Sequence, residues 1–271
     1  MPSEPAVLYA KADGIATVTM NRPEVRNAIN AEMLCRLADV WQDINDDASI
    51  RAVIFTGTGE QAFCAGADLD RLVRMMQGLR PAETDFDRRI IEDYSIIYKG
   101  LLRNYEVVKP IIAAVKGYCV AGGMEMLQAT DIRVAAEGAR FAIAEVKHGL
   151  FPMGGSTVRL ARQIPFAKAM EILLTGEQFS AAEALRIGLV NKVVPAAEVM
   201  REARRYAELI CENGPLAVQA VKRSVMAGLG LPTAQALEKE QEIGIPAAMS
   251  EDAKEGTKAF KEKRKPVFKG R

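Results

Sequence analysis

Two glutamates in apolar settings, Glu125 and Glu145, are the residues of this chain best suited to chemistry. Glu125 follows the glycine pair Gly122-Gly123, and Glu145 ends the run Phe141-Ala142-Ile143-Ala144. A carboxyl group that gives or takes a proton near neutral pH needs a raised pKa, and burial among apolar neighbours raises it. A glycine pair opening a helix leaves backbone N–H groups without intrahelical partners, which suits an oxygen gaining negative charge. Taken singly, Glu125 reads as an ordinary helix residue and Glu145 as an exposed strand end. A second glycine-bearing segment changes the balance. Phe63-Cys64-Ala65-Gly66-Ala67-Asp68 follows a strand and a turn, and it offers donors from a separate loop. Two loops of N–H donors beside two carboxylates point to acid/base chemistry next to a stabilised carbonyl oxygen.

Other chemistries are poorly served. Gly57-Thr58-Gly59-Glu60-Gln61-Ala62 matches a dinucleotide-binding fingerprint, but that fingerprint needs a helix opening at the glycines, and Phe63 to Gly66 interrupts one. A turn is the preferred reading. Gly155-Ser156 is no nucleophile elbow, because Val158 stands where the motif requires glycine. His148 is the single histidine, and no His/Cys cluster has metal-ligand spacing. No metal is therefore expected.

The elements that must position these residues are legible from periodicity. Gly14 to Met20, Arg51 to Thr56, Pro110 to Val115, Asp131 to Ala135 and Arg140 to Ala144 are expected strands. Asn30 is placed to cap a helix whose Met33, Leu34, Leu37, Val40, Trp41 and Ile44 fall on one face. The charged, Met-bearing segment from Asp68 to Val108 reads as irregular or helical, and mobile. From Ser156 the pattern turns helical, with starts at Pro165 and Ser180 and ends at Gly176 and Gly188. Breaks are expected at Gly214-Pro215, Gly230 to Pro232 and Pro246. Strands early and helices late give a mixed α/β core over residues 1–195 and a helical region over 196–271.

Composition sets the class. A chain of 271 residues with 49% hydrophobic and 26% charged residues can bury a sizeable core. Thirty-six Lys and Arg against 35 Asp and Glu advertise no nucleic-acid or membrane partner. Charge is uneven, however, with eight basic and two acidic residues from Lys254 to Arg271. Cys35, Cys64, Cys119 and Cys211 are scattered, which fits a reducing compartment, and the absence of an export signal or long apolar run makes the cytoplasm the expected location.

Ala65-Gly66-Ala67-Asp68, Gly122-Gly123-x-Glu125 and Phe141-x-x-x-Glu145 resemble the motifs of the crotonase superfamily, specifically its enoyl-CoA hydratases. The resemblance spans nearly the whole chain. It runs from Asn21-Arg22-Pro23-x-x-x-Asn27-Ala28 through Leu174-Thr175-Gly176 and Ala184-x-x-x-Gly188-Leu189-Val190 to Glu255-Gly256-x-x-Ala259-Phe260-x-Glu262-Lys263-Arg264. It implies a spiral of β-β-α turns, a C-terminal helical region that trimerises, and assembly as a trimer or dimer of trimers. It also implies hydration of a 2-enoyl-CoA thioester without a cofactor beyond the coenzyme A that the substrate carries. The implied oxyanion donors are the amides of Ala67 and Gly122. Glu145 is the implied proton donor and Glu125 the activator of water, a division the residues themselves leave open. Coenzyme A contacts are implied for Arg26, for Ala65 and Asp68 in the upstream loop, and for Phe260 and Lys263 reaching from a neighbouring subunit.

Departures bear on the acyl group. Ala142 and Ala144 replace a glycine and a proline common in hydratases, and Met153 stands where a small residue's amide helps hold the water. The run Pro152-Met153-Gly154-Gly155-Ser156 resembles catabolic members, some acting on bulky, steroid-type acyl chains. Met75, Met76 and Met153 are thus expected to serve an adaptable acyl pocket, partly walled by residues 69–108. An enoyl-CoA isomerase and a non-catalytic crotonase-like binding protein are the competing readings. Retention of both glutamates favours the hydratase.

Overall fold

In the computed structural model, which describes residues 4–271, ten strands and twelve α-helices alternate along the chain. The strands are β1 (Val7–Ala12), β2 (Ile15–Met20), β3 (Ala52–Gly57), β4 (Ala62–Cys64), β5 (Ile111–Val115), β6 (Tyr118–Val120), β7 (Ile132–Ala136), β8 (Arg140–Ala142), β9 (Phe179–Ser180) and β10 (Lys192–Val194). Six form one sheet in the order β1-β2-β3-β5-β7-β10, and four form a second in the order β4-β6-β8-β9. Each sheet is parallel apart from one edge pair, β1 with β2 and β8 with β9. The chain therefore visits both sheets in each turn: β3 then β4, β5 then β6, β7 then β8. This is the spiral that the sequence motifs imply.

The helices are α1 (Ala31–Asp46), α2 (Arg74–Met76), α3 (Asp85–Glu92), α4 (Ser95–Gly100), α5 (Gly122–Leu127), α6 (Ser156–Gln163), α7 (Phe166–Thr175), α8 (Ala181–Arg186), α9 (Val199–Cys211), α10 (Pro215–Gly228), α11 (Thr233–Ala248) and α12 (Glu251–Lys261). Asn30 caps α1 as its position predicts, its side chain accepting from Met33 N–H at 2.9 Å. The face of α1 carrying Met33, Leu34, Leu37, Trp41 and Ile44 is buried, while Val40 is only partly so. Trp41 meets Phe55 edge-on at 5.3 Å and Phe55 meets Phe63 at 5.2 Å, which ties α1 to both sheets. Truncating such an aromatic to Ala costs about 3–5 kcal/mol.

Side chains alternate across β3. Val53 and Phe55 enter this main core, whereas Ala52 and Ile54 face a second cluster closed by Val199, Ala203 and Ala207 of α9. Thus α9, which lies beyond residue 195, still packs on the first sheet. Past it the burial changes abruptly: α10 and α11 bury no side chain, and α12 buries only Asp252 and Ala259.

Several sequence expectations are corrected. Pro246 does not break its helix, since α11 runs on to Ala248. The ring forfeits one hydrogen bond near a helix end that has no packed side to disrupt. Strands β1, β4, β6, β9 and β10 were not anticipated, and β8 ends at Ala142 rather than Ala144. The 69–108 segment, by contrast, is largely helical, one of the two alternatives expected for it. It opens with a π-helical turn, Leu69–Val73, and continues through α2, α3 and α4.

Candidate active site

Strands β4, β6 and β8 are neighbours in the second sheet and run parallel, so the loops leaving their C-terminal ends lie side by side. They are the segments carrying Ala67, Gly122 and Glu145. In the first, Ile29 N–H donates to Gly66 O at 2.8 Å and Asp68 N–H donates to Ile29 O at 2.9 Å. This parallel bridge uses the groups flanking Ala67, so the Ala67 N–H points away from Ile29. Among the described residues no acceptor takes it.

Strand β6 passes into α5 through Ala121, which adopts φ 49° and ψ −124°. A non-glycine residue there costs on the order of 1–3 kcal/mol and needs its surroundings to hold it. They do: Ala121 N–H donates to Ala142 O at 3.0 Å, and Ala121 O accepts from Glu125 N–H at 3.0 Å. The sharp turn sets Gly122, whose N–H is the first of α5 and has no intrahelical acceptor, beside the Ala67 loop. A Cβ added at Gly122 would lie 3.8 Å from Ala67 N. Gly66, at φ +89°, permits this approach, since a Cβ there would come within 2.7 Å of Ala121 Cβ.

The two carboxylates flank these donors. Glu125 is 4% exposed on the first turns of α5. Burial raises its pKa, opposed by the amides of Ser156, Gly154 and Gly155 and by the Arg159 guanidinium. The Ser156 N–H lies 3.4 Å from Glu125 Oε1. Glu145 is the first residue of a 3-10 turn, Glu145–His148, directly after β8. Burial pushes its carboxyl up to about 7, the negative charge of Glu125 adding to the rise. Its Oε2 is buried without a hydrogen-bond partner. The structure thus brings Ala67, Gly122, Glu125 and Glu145 into one site, with the carboxylates close enough to feel each other. Such a site can stabilise an oxyanion and move two protons.

The profile of the enoyl-CoA hydratase/isomerase family matches residues 10–271. The chain belongs to this family, within the crotonase superfamily. It is 43% identical over 269 residues to the enoyl-CoA hydratase EchA19 of Mycobacterium tuberculosis, covering 99% of this chain and 98% of that one. It is 38% identical to the (E)-benzylidenesuccinyl-CoA hydratase of Thauera aromatica, covering 94% and 96%. Among solved structures, an enoyl-CoA hydratase from Bacillus anthracis superimposes with a TM-score of 0.88 at 33% identity, over 98% of this chain and 100% of the other. The crotonase fold expected from the motifs is therefore the fold observed.

The other residues singled out for this enoyl-CoA hydratase/isomerase family member lie around the site and beyond it. Ala65 N–H donates to Arg26 O at 3.0 Å, which places both on the approach to Ala67. The exposed Arg26 guanidinium stands 5.4 Å from the Tyr118 ring. Asp68 accepts from Arg22 Nη1 at 3.0 Å and caps the π-helical turn through Arg71 N–H at 2.9 Å. Its carboxylate is thereby committed to the loop's own structure. Met153, 54% exposed, borders a cavity of about 180 Å³ with Phe151, Arg103 and Asn104. Met76 is also exposed, but Met75 is buried in the hydrophobic core. Phe260 is 86% exposed, and Lys263 is exposed in the tail. Among the described residues neither side chain bonds to the site within this chain.

Sequence reasoning missed the support of Glu125. A Cβ at Gly154 would fall 2.4 Å from Glu125 Oε2, so this glycine makes room for the carboxyl. Ser156 N–H reaches that carboxyl while Ser156 Oγ accepts from Gln128 Nε2 at 2.8 Å. Arg159 was not singled out from the sequence at all. The available signal was a second glycine pair, Gly154-Gly155, opening a helix as Gly122-Gly123 does.

Proposed function

We propose that this chain adds water across the double bond of a 2-enoyl-CoA thioester, giving a 3-hydroxyacyl-CoA. The observation that carries this reading is the unequal treatment of two neighbouring buried carboxyls. Glu125 faces backbone N–H groups that favour its carboxylate form, whereas Glu145 has a buried oxygen with no donor. The first is suited to take a proton from water as its oxygen bonds to C3. The second is suited to hold a proton near neutral pH and deliver it to C2. Charge that builds on the thioester oxygen would be met by the N–H groups of Ala67 and Gly122. An isomerase relocates one proton between carbons and needs a single carboxylate, so the retained pair favours hydration.

Turnover in isotopically labelled water tests this. Label should appear on the C3 hydroxyl of the product, and a shifted double bond without oxygen incorporation would instead establish an isomerase. Bound coenzyme A ester with no turnover of any kind would establish a binding protein.

The same reading assigns Arg26, Ala65 and the Asp68 loop to the coenzyme A side of the site. It assigns Phe260 and Lys263 to a neighbour's site in a homotrimer or dimer of trimers. Support comes from the apolar residues that α10 and α11 leave exposed, including Val221, Val225, Leu237 and Ile245. Four free thiols, three of them buried, accord with a reducing cytoplasmic location. No helix among the described residues is long and apolar enough to cross a membrane. The aryl-bearing acyl group in the name of the Thauera relative, with the cavity beside Met153, supports an acyl range extending beyond four-carbon chains.

A further inference from the structure

Arg159 stands near the carboxylate pair, yet the mechanism above gives it no task. It lies on the first turn of α6, three residues after Ser156, with its side chain part-buried. Its Nη2 donates to Leu102 O at 2.6 Å and Arg103 O at 3.2 Å, and its Nη1 approaches Gly154 O at 3.5 Å. Leu102 holds a left-handed conformation at φ 55° beside these contacts. One guanidinium thus fastens the 102–103 segment to the first turn of α6, which directly continues the loop against which the Glu125 carboxyl rests.

Among the described residues, no carboxylate pairs with Arg159 within ion-pair distance. An arginine taken partly out of water without a carboxylate partner is costly, and carbonyls alone do not neutralise it. The charges around it are asymmetric. Glu125 acts on it favourably, whereas Arg103 and Arg133 of β7 act against it. Glu106, Asp131, Arg162 and Lys222 stand with it around a cavity of about 450 Å³, where Asp131 is already paired with Lys222 at 2.7 Å. Glu125 in turn is faced by Arg159 from α6 and by Glu145 from the turn after β8. The two influences on Glu125 are opposite in sign.

We propose that Arg159 is a positioning residue for hydration: it holds the 154–156 amides against Glu125 and supplies the positive charge that keeps Glu125 the ionised member of the pair. The proposal rests on the hydratase reading and gives a physical reason for two adjacent carboxyls, both raised by burial, to titrate apart. Arg159 does not donate to substrate; it acts through Glu125 and the Gly154 loop. The charge and the tie are separable, because lysine keeps the first while losing the planar fork that bridges several carbonyls.

The test compares Arg159→Gln and Arg159→Lys with wild type, measuring kcat and KM for an enoyl-CoA from about pH 5 to about pH 9. Arg159→Gln should move the acidic limb of kcat upward by about one pH unit. Its deficit should be roughly ten-fold larger at low pH than at high pH, where only the loss from the broken tie remains, with KM little changed. Arg159→Lys should keep the wild-type limb. A loss equal at every pH in both variants, or an unmoved limb in Arg159→Gln, would overturn the proposal. Carbon-13 carboxyl titration of wild type is the second measurement, and it stands even if Arg159→Gln fails to fold. Glu125 should titrate below Glu145, and the reverse order overturns the proposal. A wild-type protein inactive on every enoyl-CoA would sink the hydratase reading, while the titration would still decide which carboxyl is ionised.

Discussion

Glu145 carries a consequence for stability as well as for rate. Its carboxyl is held at about 7, above the ordinary value of 4.5 that it regains on unfolding. The folded protein therefore binds this proton more tightly than the unfolded chain does. The resulting contribution to stability is complete below about pH 4.5 and is lost as pH rises through about 7. Glu145→Gln cannot ionise and escapes that loss. It should melt higher than wild type at about pH 8, by an amount on the order of 2 kcal/mol, with the difference vanishing near pH 4. Activity should move the other way, falling about 10²–10⁴-fold, as it should for Glu125→Gln. Thermal melts at the two pH values, paired with hydration rates, check both halves. A variant with near-wild-type turnover, or one with the same melting difference at both pH values, would remove Glu145 from the role of buried acid.

At the scale of elements, the site depends on two glycine-opened helices, α5 and α6, meeting at the Glu125 carboxyl. Gly154 bears most directly on the chemistry, because the atom that a Cβ would strike is the carboxylate of Glu125 itself. Gly154→Ala should reduce kcat by about 10²–10⁴-fold, the scale of losing the base, while coenzyme A ester affinity holds. A KM effect without a kcat effect would show that Glu125 has room to move. The glycine pair before Glu125 and the capped helix α1 were legible in the sequence, because turn chemistry and a helical period leave local marks. Strand β6 was not, since three residues carry too little alternation to register. Strand β1 hid for another reason: it is an edge strand with most of its side chains in solvent, so little apolar patterning marks it. The support of Glu125 by Ser156 and Arg159 was illegible because it joins residues 31 and 34 positions away (156 − 125 and 159 − 125), and only the fold brings them together.

For the whole molecule, the imbalance lies in its C-terminal third. Helices α10 and α11 bury no side chain fully and leave Val221, Val225, Leu237 and Ile245 exposed, while the tail folds back on α12 through Asp252, which accepts from Lys269 and Gly270 N–H at 2.6 and 2.8 Å. Arg264 is neutralised by Glu255 and Glu262, which leaves Lys263 on the same turn without an ion-pair partner among the described residues. An unpartnered lysine beside an exposed phenylalanine is suited to hold a phosphate and an adenine from a neighbour's ligand. Two substitutions separate assembly from contact. Val225→Glu places a charge on the exposed face of α10 and should shift the protein toward monomer in light scattering, weakening coenzyme A ester binding with it. Lys263→Ala should leave the assembly intact yet weaken full coenzyme A esters, on the order of ten-fold for one lost charge–phosphate contact. A truncated thioester lacking the 3′-phosphate should bind to it as to wild type. Equal weakening for both ligands in Lys263→Ala would show that the tail serves folding rather than the phosphate. An unaltered oligomer in Val225→Glu would move the subunit contact to another face.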